Sequence, residues 1–465
     1  MKFACSKIQR QSHAFVSSIH ANLLMQMMME YPQYRMLEGS ETLYAIEGPR
    51  HAIEFQPLGS NQWMMHAHFA SDYPRFVWMQ ELLLKAAQAR AVSKEEFVDL
   101  VNAREVHEPL ACLGRFNASE AHEALRFETN VELQPLTTFG VSSISRHHVL
   151  VGSDEDIREA LKAAKQNDWE VLIVGGGSNV LMHSDWEGLT LQQGIKGIQV
   201  LSDDGNRVEV LVGAGESWHD WVLHAVEQGW NGIENLALIP GSVGASPMQN
   251  IGAYGVEVKD CFLWLEAVHQ QTGELRRFDH NACEFGYRES IFKQREKDEW
   301  VIVRVAFVLE RNAPLRMEYG AIQSELKHLQ HHEIAHKNVM EAVMRIRRSK
   351  LPDPALLGNA GSFFKNPILD EHAFEAVLSN HPEVVHYTLE DGTFKLAAGW
   401  LIEQAGWKGQ RRGNCGVHER QALVLVNYGG ATGQQIWQLA LDIIEDVKVK
   451  FGVELQPEVN QIRTS

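Results

Sequence analysis

The alternation of apolar and polar residues predicts an α+β chain whose pattern changes near residue 130. In the first part, the strand patterns "LYAIEG", "HAIEFQ" and "QWMMHAHF" lie between two predicted helices, over residues 17–31 and 74–91. From about Gln134 onward, short helices and strands alternate, an order that is typical of α/β and α+β domains. The pattern therefore predicts a small α+β module followed by a larger body.

Several elements of the larger body carry recognisable start and stop signals. Ser153 is predicted to cap the helix in "SDEDIREALKAAKQN", whose apolar residues recur at helical spacing. The apolar run "EVLIV" predicts a buried strand, and alternating valines beside Asp204 and Gly205 predict a hairpin. A further helix carries Trp218, and the last amphipathic helix of the chain is closed by Gly452.

Composition and charge narrow the class of protein. With 465 residues, 45% hydrophobic and 22% charged, the chain has the composition of a globular protein of about two or three domains. A net charge of −17 argues against a general nucleic-acid binder, because phosphate backbones attract clustered Lys and Arg. The five cysteines show no CxxC spacing, which favours reduced thiols over disulfides or zinc. No stretch approaches the roughly 20 apolar residues of a membrane span, so a cytoplasmic protein is expected.

Histidines in the first module raise the question of a metal site. His66 and His68 alternate on one predicted strand face, with His51 nearby. Without a third and fourth ligand in the pattern, an exposed strand face explains them better, and no metal is predicted. The function of this module, residues 1–125, is not predicted.

A glycine-rich loop, "GGGSN", follows the predicted strand "EVLIV". Gly175 and Gly177 match the first two glycines of a dinucleotide fingerprint, but Val180 occupies the third position and no helix pattern follows. A Rossmann site is therefore disfavoured. Consecutive glycines still allow backbone N–H groups to approach a diphosphate closely, and Ser178 and Asn179 add side-chain donors.

A second glycine-rich loop, "IPGSVGASPMQNIGAYG", covers residues 239–255. A tract this long without a periodic pattern is usually functional when its neighbours are apolar and strand-like. Two separate loops rich in glycine and small donors suit one elongated ligand with a central pyrophosphate. They predict a dinucleotide held outside a Rossmann fold.

Eight motifs in order carry a family resemblance: "GGGSNVL", "IPGSVGASPMQNIGAYGVEV", "YRESIFK", "KLPDP", "GNAGSFFKNP", "AAGWLIEQAG", "VHERQALVLVN" and "LQPEV". Together they closely resemble the UDP-N-acetylenolpyruvoylglucosamine reductases (MurB), flavoenzymes of peptidoglycan precursor synthesis. The resemblance covers about Leu133 to Ile462. An intact Tyr319-Gly320 segment is similar to the type I branch of that family.

The resemblance implies a fold and a reaction. The expected fold is α+β, with a two-lobed FAD-binding domain of the vanillyl-alcohol-oxidase (PCMH) type over residues 130–312 and an α/β substrate-binding domain over 313–465. NADPH would reduce bound FAD, and hydride would then pass to C3 of the enolpyruvyl ether, followed by protonation at C2. The product would be UDP-N-acetylmuramate. The partners expected are this UDP-sugar and NADPH, without nucleic acid or membrane.

The resemblance also implies catalytic residues. Arg288 would stabilise the negative charge that develops on the substrate carboxylate, with Tyr287 beside it orienting substrate or nicotinamide. Ser362 would donate the proton, and Glu458 would polarise the intermediate or assist proton delivery. Without the family context, Arg288 and Glu289 would be interpreted as a surface ion pair and Tyr287 as a core tyrosine.

Binding residues follow from the same motifs. The residues expected to hold FAD are Gly175, Gly176, Gly177, Ser178, Asn179, Pro240, Gly241, Ser242, Gly244, Asn250, Gly252, Ala253 and Tyr254. The residues expected to bind substrate are Tyr319, Arg347, Lys350, Asn366 and Gln421. The cations of "MRIRRSKLP" also suit the last turn of a helix, and both interpretations can hold together.

Two features depart from the family pattern. Asn460 stands where the family usually has an arginine, two positions after Glu458, and residues 1–125 have no counterpart in the pattern. Two alternatives therefore stay open beside the reductase. One is a flavin oxidase of the same fold that uses oxygen, and the other is a catalytically idle protein that binds FAD and UDP-sugar under control of the first module.

Overall fold

The computed structural model describes residues 33–37, 43–48, 51–57, 62–69, 89–102, 105–107 and 125–464. The chain divides into two compact units, Met1–Ala121 and His122–Ser465. Within the described ranges, no helix is both long and apolar enough to cross a membrane.

The first unit contains a six-stranded sheet with the order β5-β1-β2-β3-β4-β6. Its elements are β1 (Gln33–Leu37), β2 (Leu43–Gly48), β3 (His51–Pro57), β4 (Gln62–Phe69), β5 (Ala89–Val92), helix α1 (Lys94–Asn102) and β6 (Glu105–His107). The three predicted strands are confirmed as β2, β3 and β4. His51 begins β3, and His66 and His68 lie on β4, but their side chains are outside the described part of the chain.

Of the two helices predicted in the first unit, the structure tests only the end of the second. The predicted helix over residues 17–31 lies outside the described residues. The predicted helix over 74–91 is wrong at its end, because residues 89–91 belong to β5, and its earlier residues also lie outside the description. Strand β5 pairs antiparallel with β1 over four residues, and this tertiary pairing overrides the local helical preference of alanine and arginine.

The second unit begins with a four-stranded sheet. Its strands are β7 (Glu128–Glu132), β8 (Ile144–Val151), β9 (Val171–Val174) and β11 (Trp186–Gln193), in the order β7-β8-β11-β9. Helix α2 (Asp154–Asn167) connects β8 to β9, and its cap is confirmed because the Ser153 side chain accepts a hydrogen bond from the Asp156 amide. Its apolar face is buried as the spacing predicted.

A five-stranded antiparallel sheet follows, in the order β12-β13-β18-β16-β17. Its strands are β12 (Ile198–Asp203), β13 (Arg207–Gly213), β16 (Phe262–His269), β17 (Leu275–Asp279) and β18 (Trp300–Glu310). Hairpin β12–β13 is the predicted one. Helix α3 (Trp218–Glu227) packs Trp218 and Trp221 against Phe307 of β18, with ring centroids 5.9 and 5.7 Å apart. These buried aromatic rings anchor the helix beside the second glycine loop.

The last third of the chain adds two small sheets and five helices. The strands are β19 (Gly358–Ser362), β20 (Ile368–Leu369), β21 (His386–Thr388), β22 (Phe394–Leu396), β23 (Arg411–Arg412), β24 (Cys415–Val417) and β25 (Val424–Asn427). The helices are α4 (Gly320–Leu326), α5 (His336–Lys350), α6 (Glu371–Asn380), α7 (Ala398–Gln404) and α8 (Gly433–Phe451). The predicted left-handed residue that closes α8 is confirmed at Gly452, with φ 69°.

The end of the chain returns to the start of the second unit. Strand β26 (Asn460–Ile462) pairs in parallel with β10 (Val180–Met182), the strand that directly follows the first glycine loop. One hydrophobic core contains both Leu181 from this region and Val459 beside β26. This pairing brings the "LQPEV" segment and the first glycine loop to the same place.

Candidate active site

The two glycine-rich loops pack directly against each other. A Cβ atom on Gly176 would lie 2.7 Å from the Cα of Gly241, closer than real Cβ contacts approach, so Gly176 needs to be glycine. Gly241 has φ 119°, a conformation that also favours glycine. The Ser178 hydroxyl donates to the Pro240 carbonyl at 3.1 Å. The loops therefore form one continuous surface on which backbone N–H groups can meet a phosphate. A short strand pair, β14 (Gly252–Ala253) with β15 (Val256–Glu257), closes the second loop.

A cavity of about 660 Å³ runs along this surface and reaches the predicted catalytic residues. The predicted residues that line it are Gly175, Gly176, Gly177, Ser178, Asn179, Pro240, Ser242, Gly244, Gly252, Tyr287, Arg288, Arg347, Ser362, Asn366 and Glu458. Because both glycine loops and the predicted catalytic residues share one elongated space, the residues present fit a flavin dinucleotide.

Seven predicted residues do not line this cavity: Gly241, Asn250, Ala253, Tyr254, Tyr319, Lys350 and Gln421. Gly241 packs behind Gly176. The Asn250 amide is fully buried and donates to Glu257 and to the Gly286 carbonyl, which gives it a role in shaping the loop. The rings of Tyr254 and Tyr319 meet edge to face at 5.2 Å.

Arg288 is fixed by the second glycine loop. Its Nη2 donates to the Gly252 carbonyl at 2.6 Å, and its Nε lies 3.3 Å from Glu458 Oε1. Its backbone has φ 56°, in the left-handed region that non-glycine residues seldom occupy. Such strain persists where the surroundings determine it, as the loop contacts do here. The guanidinium is thus oriented before any ligand arrives.

Glu458 is buried beside three cations. Burial raises the pKa of the Glu458 carboxyl, although Arg288, Lys293 and Lys365 act in the opposite direction. The contact with Arg288 alone would suggest a firmly ionised carboxylate, but the loss of hydration outweighs this attraction. The Glu458 amide donates to the Phe363 carbonyl at 2.8 Å, which fixes the segment to the strand end that carries Ser362.

Asn179 connects the first glycine loop to this segment. Its side-chain amide donates to Gln249 Oε1 at 3.1 Å and to the Glu458 carbonyl at 3.3 Å. The Asn179 carbonyl in turn accepts from the Asn460 amide at 3.0 Å. Its side chain therefore connects the first glycine loop to the backbone of Glu458, and donation to the ligand by Asn179 stays a prediction.

Ser362 is the last residue of β19, at a point where the pairing of this strand with β25 is irregular. Strand pairing shifts between Asn359 and Ser362, and Gly361 between them has φ 69°, which favours glycine. Behind it, Phe363 and Phe364 are each 1% exposed, so the strand end is anchored in the core. Among the described residues, none hydrogen-bonds the Ser362 hydroxyl, which is exposed in the cavity.

Three charged residues near Glu458 were not singled out from the sequence. Lys365 forms an ion pair with Glu289, and burial lowers the pKa of Lys293. Both lysines lie close enough to act on the Glu458 carboxyl. A signal for them existed, because they stand within the quoted motifs "YRESIFK" and "SFFKNP".

Arg347 adds a cation deeper in the same cavity. Burial lowers the pKa of its guanidinium, and its Nε has no hydrogen-bond partner within the described residues. A buried guanidinium with an unsatisfied donor is suited to an anionic ligand. Lys350, at the end of the same helix α5, is exposed.

The fold and the cavity define a class, the FAD-binding oxidoreductases. Residues 146–279 match the family model described as an FAD binding domain, and residues 353–462 match the C-terminal domain of UDP-N-acetylenolpyruvoylglucosamine reductase. The chain belongs to the UDP-N-acetylenolpyruvoylglucosamine reductase family. The predicted family, the predicted α+β flavoprotein fold and the predicted FAD cofactor are thereby confirmed.

Individual relatives support this assignment. A UDP-N-acetylenolpyruvoylglucosamine reductase of Pseudomonas fluorescens (strain Pf0-1) is 50% identical over 338 residues, which cover 73% of this chain and 99% of the relative. The reductase of Chromobacterium violaceum is 48% identical over 335 residues, which cover 72% and 98%. The crystal structure of the Thermus caldophilus reductase aligns with a TM-score of 0.50 at 23% identity, covering 73% of this chain and all of that one. This last likeness concerns the fold alone.

Proposed function

We propose that this chain catalyses the NADPH-dependent reduction of the enolpyruvyl ether of UDP-N-acetylglucosamine to UDP-N-acetylmuramate, in the cytoplasm, with Arg288, Ser362 and Glu458 as its catalytic residues. When bound, FAD supplies the hydride chemistry, taking hydride from NADPH and giving it to C3 of the ether. The observation that carries the proposal is that the Arg288–Glu458 pair and the free Ser362 hydroxyl share one cavity with both glycine loops.

Arg288 meets the charge that develops in the reaction. Hydride arriving at C3 leaves negative charge on C2 and on the adjacent carboxylate of the substrate. A guanidinium already held by the Gly252 carbonyl stabilises that charge without having to reorient. Its planar donors suit a carboxylate, and Tyr287 beside it lines the same space.

Ser362 and Glu458 complete the reduction by delivering a proton to C2. A hydroxyl is a weak acid in water, but a carbanion-like centre in a closed site provides a large driving force. Because burial raises the pKa of Glu458, its carboxyl holds a proton more readily than an exposed one, which suits it to polarise the intermediate or to replace the proton that Ser362 gives up. The bond between the Glu458 amide and the Phe363 carbonyl supports this pairing of roles.

The UDP-sugar would be held by the last turn of α5 and its neighbours. The buried Arg347 with its unsatisfied donor is suited to the diphosphate, and Lys350 adds charge at the same helix end. Asn366 lines the cavity and is itself oriented, because its Oδ1 accepts from the Ala398 amide at 3.0 Å. Tyr319 and Gln421 are proposed as outer contacts of the same ligand.

An anaerobic flavin spectrum recorded through two additions tests the proposal. NADPH is added to the purified holoprotein first, and the enolpyruvyl UDP-sugar second. We expect bleaching of the flavin band by NADPH and its recovery on addition of the substrate. A flavin that is bleached and recovers only with air would point to the oxidase, and one that NADPH never bleaches would point to the idle binding protein.

A further inference from the structure

The start of helix α3 lies directly against residues 236–241, the segment that leads into the second glycine loop. The Trp218 amide donates to the Gly241 carbonyl at 3.0 Å, and the Trp218 indole donates to the Leu236 carbonyl at 3.0 Å. The next residue, His219, accepts a hydrogen bond at Nδ1 from the Leu238 amide at 3.1 Å. Three consecutive contacts therefore fix residues 236–241 to one helix end.

The residue held by His219 is in an unfavourable conformation. Leu238 has φ 58°, a left-handed backbone that an L-residue with a large side chain seldom adopts. Leu238 immediately precedes Ile239 and Pro240, both of which line the cavity. The amide contact with His219 thus holds the entry of the second glycine loop in the shape that the cavity requires.

This contact is possible in only one protonation state of the ring. A backbone amide can only donate, so Nδ1 must carry a lone pair, and the ring is the neutral form with its proton on Nε2. Protonation would set two N–H donors against each other and abolish the bond. The charged groups that act on the ring are Asp220 on its own helix and Arg347 and Arg348 on α5. Burial lowers the pKa of His219, the arginines lower it further, and Asp220 opposes them.

We propose that His219 is a positioning residue for FAD, which holds the second glycine loop through the Leu238 amide as long as its ring is neutral. It touches neither the substrate nor the cofactor by this contact. Its effect is on the affinity for FAD and on the pH dependence of that affinity. The inference depends on FAD binding and not on the catalytic roles proposed above, so the two can fail separately.

The sign of the effect follows from the geometry of the contact. Only the neutral ring can accept at Nδ1, so the loop is held while the ring is neutral and is released when the ring is protonated. Burial lowers the pKa of His219, so this loss lies on the acid side of the ordinary value of 6.5. FAD should therefore bind more weakly at pH 5.5 than at pH 7.5. NADPH and substrate are not needed to see this.

The test is a titration of the full-length apoprotein with FAD, followed by quenching of flavin fluorescence between pH 7.5 and 5.5. His219→Asn places an oxygen acceptor near the position of Nδ1 and cannot be protonated in this range, whereas His219→Leu removes the acceptor. We expect His219→Leu to weaken FAD binding by roughly 2- to 13-fold at pH 7.5, the loss of one hydrogen bond. His219→Asn should bind as the wild type does at pH 7.5 and should lose most of the pH dependence.

Two controls distinguish a specific effect of His219 on FAD binding from a loss of folding. His372→Asn removes an exposed histidine of α6 and should leave both the affinity and its pH profile unchanged. Thermal melting of each apoprotein shows whether a variant folds, and if His219→Leu does not, the profile of His219→Asn decides alone. The proposal is overturned if His219→Asn keeps the wild-type pH profile, or if a folded His219→Leu binds FAD as tightly as the wild type.

Discussion

At the scale of single residues, the properties of Glu458 and Arg288 depend on burial and on contacts in the folded chain more than on their neighbours in the sequence. Glu458 has a cation within 3.3 Å, yet its pKa is raised because the carboxyl is removed from water. Arg288 adopts a left-handed backbone that an isolated peptide would avoid. Both residues depend on contacts from segments far away in the chain.

The proposed role of Ser362 gives the first prediction. Ser362→Ala should reduce turnover by about 10²- to 10⁴-fold, because it removes the proton donor and leaves the binding surfaces intact. Stopped-flow absorbance should show flavin reduction by NADPH at the wild-type rate and slow reoxidation by substrate. A variant with full turnover would end the assignment of Ser362 as donor.

The raised pKa of Glu458 predicts an effect of pH on stability. A carboxyl that is harder to ionise when folded contributes fully below its ordinary pKa of 4.5, and this contribution is lost as pH rises. Glu458→Gln cannot ionise, so its melting temperature relative to the wild type should increase from pH 5 to pH 8. Glu454→Gln, at an exposed ion pair with Lys448, is the matched control and should show no such trend. The opposite slope at Glu458 would mean that Arg288 keeps it ionised.

At the scale of elements, the site is built by two loops that touch through glycine. The first leaves β9 and runs into β10, and the second starts beside α3 and ends in the pair β14–β15. Strand β26 then pairs with β10, so that the Glu458 segment is held by the element which ends the first loop. Each loop therefore positions the other, and a change at their contact acts on the whole cofactor surface.

A single added methyl group tests that contact. In Gly176→Ala the new Cβ meets the backbone of Gly241, which cannot move aside as a side chain can. Overpacking of this kind costs typically 1–3 kcal/mol, so FAD affinity should fall by about 5- to 160-fold. The apoprotein should still melt cooperatively. Gly152→Ala, whose added Cβ meets only Asp156 at 3.6 Å, is the control and should bind FAD normally.

At the scale of the whole molecule, the chain joins a complete family domain set to an additional unit. The Pseudomonas fluorescens relative is matched over 99% of its length by 73% of this chain. The family models match residues 146–279 and 353–462, all within the unit His122–Ser465. The unit Met1–Ala121 is therefore additional to the part of this chain that matches the relatives.

Removal of the first unit tests whether it is needed for the reaction. The fragment 122–465 should fold, bind one FAD and reduce substrate with the kcat and KM of the full chain, because the described residues that form its three hydrophobic cores and line its cavity all belong to this unit. Steady-state kinetics and the flavin-to-protein ratio measure this. Loss of turnover in a fragment that still binds FAD would assign a regulatory role to the first unit.

The sequence by itself determined the local elements and the family. The cap at Ser153, the turn at Gly452 and the strands of the first unit follow from hydrogen-bonding side chains, backbone freedom and periodicity, which act over a few residues. The ordered motifs identified the flavoprotein and the residues around its cavity. The helix predicted over residues 74–91 failed at residues 89–91, because pairing with β1, a distant contact, outweighed local preference.

Only the tertiary structure decided how the site works. Three contacts join segments that lie 19 to 279 residues apart in the chain. They are Gly176 with Gly241, Asn179 with Glu458, and His219 with Leu238. No local pattern marks such partners, because hydrogen bonds and burial depend on what the fold brings together. The shifts in the pKa of Glu458 and of His219 arise chiefly from that burial, which only the folded chain provides.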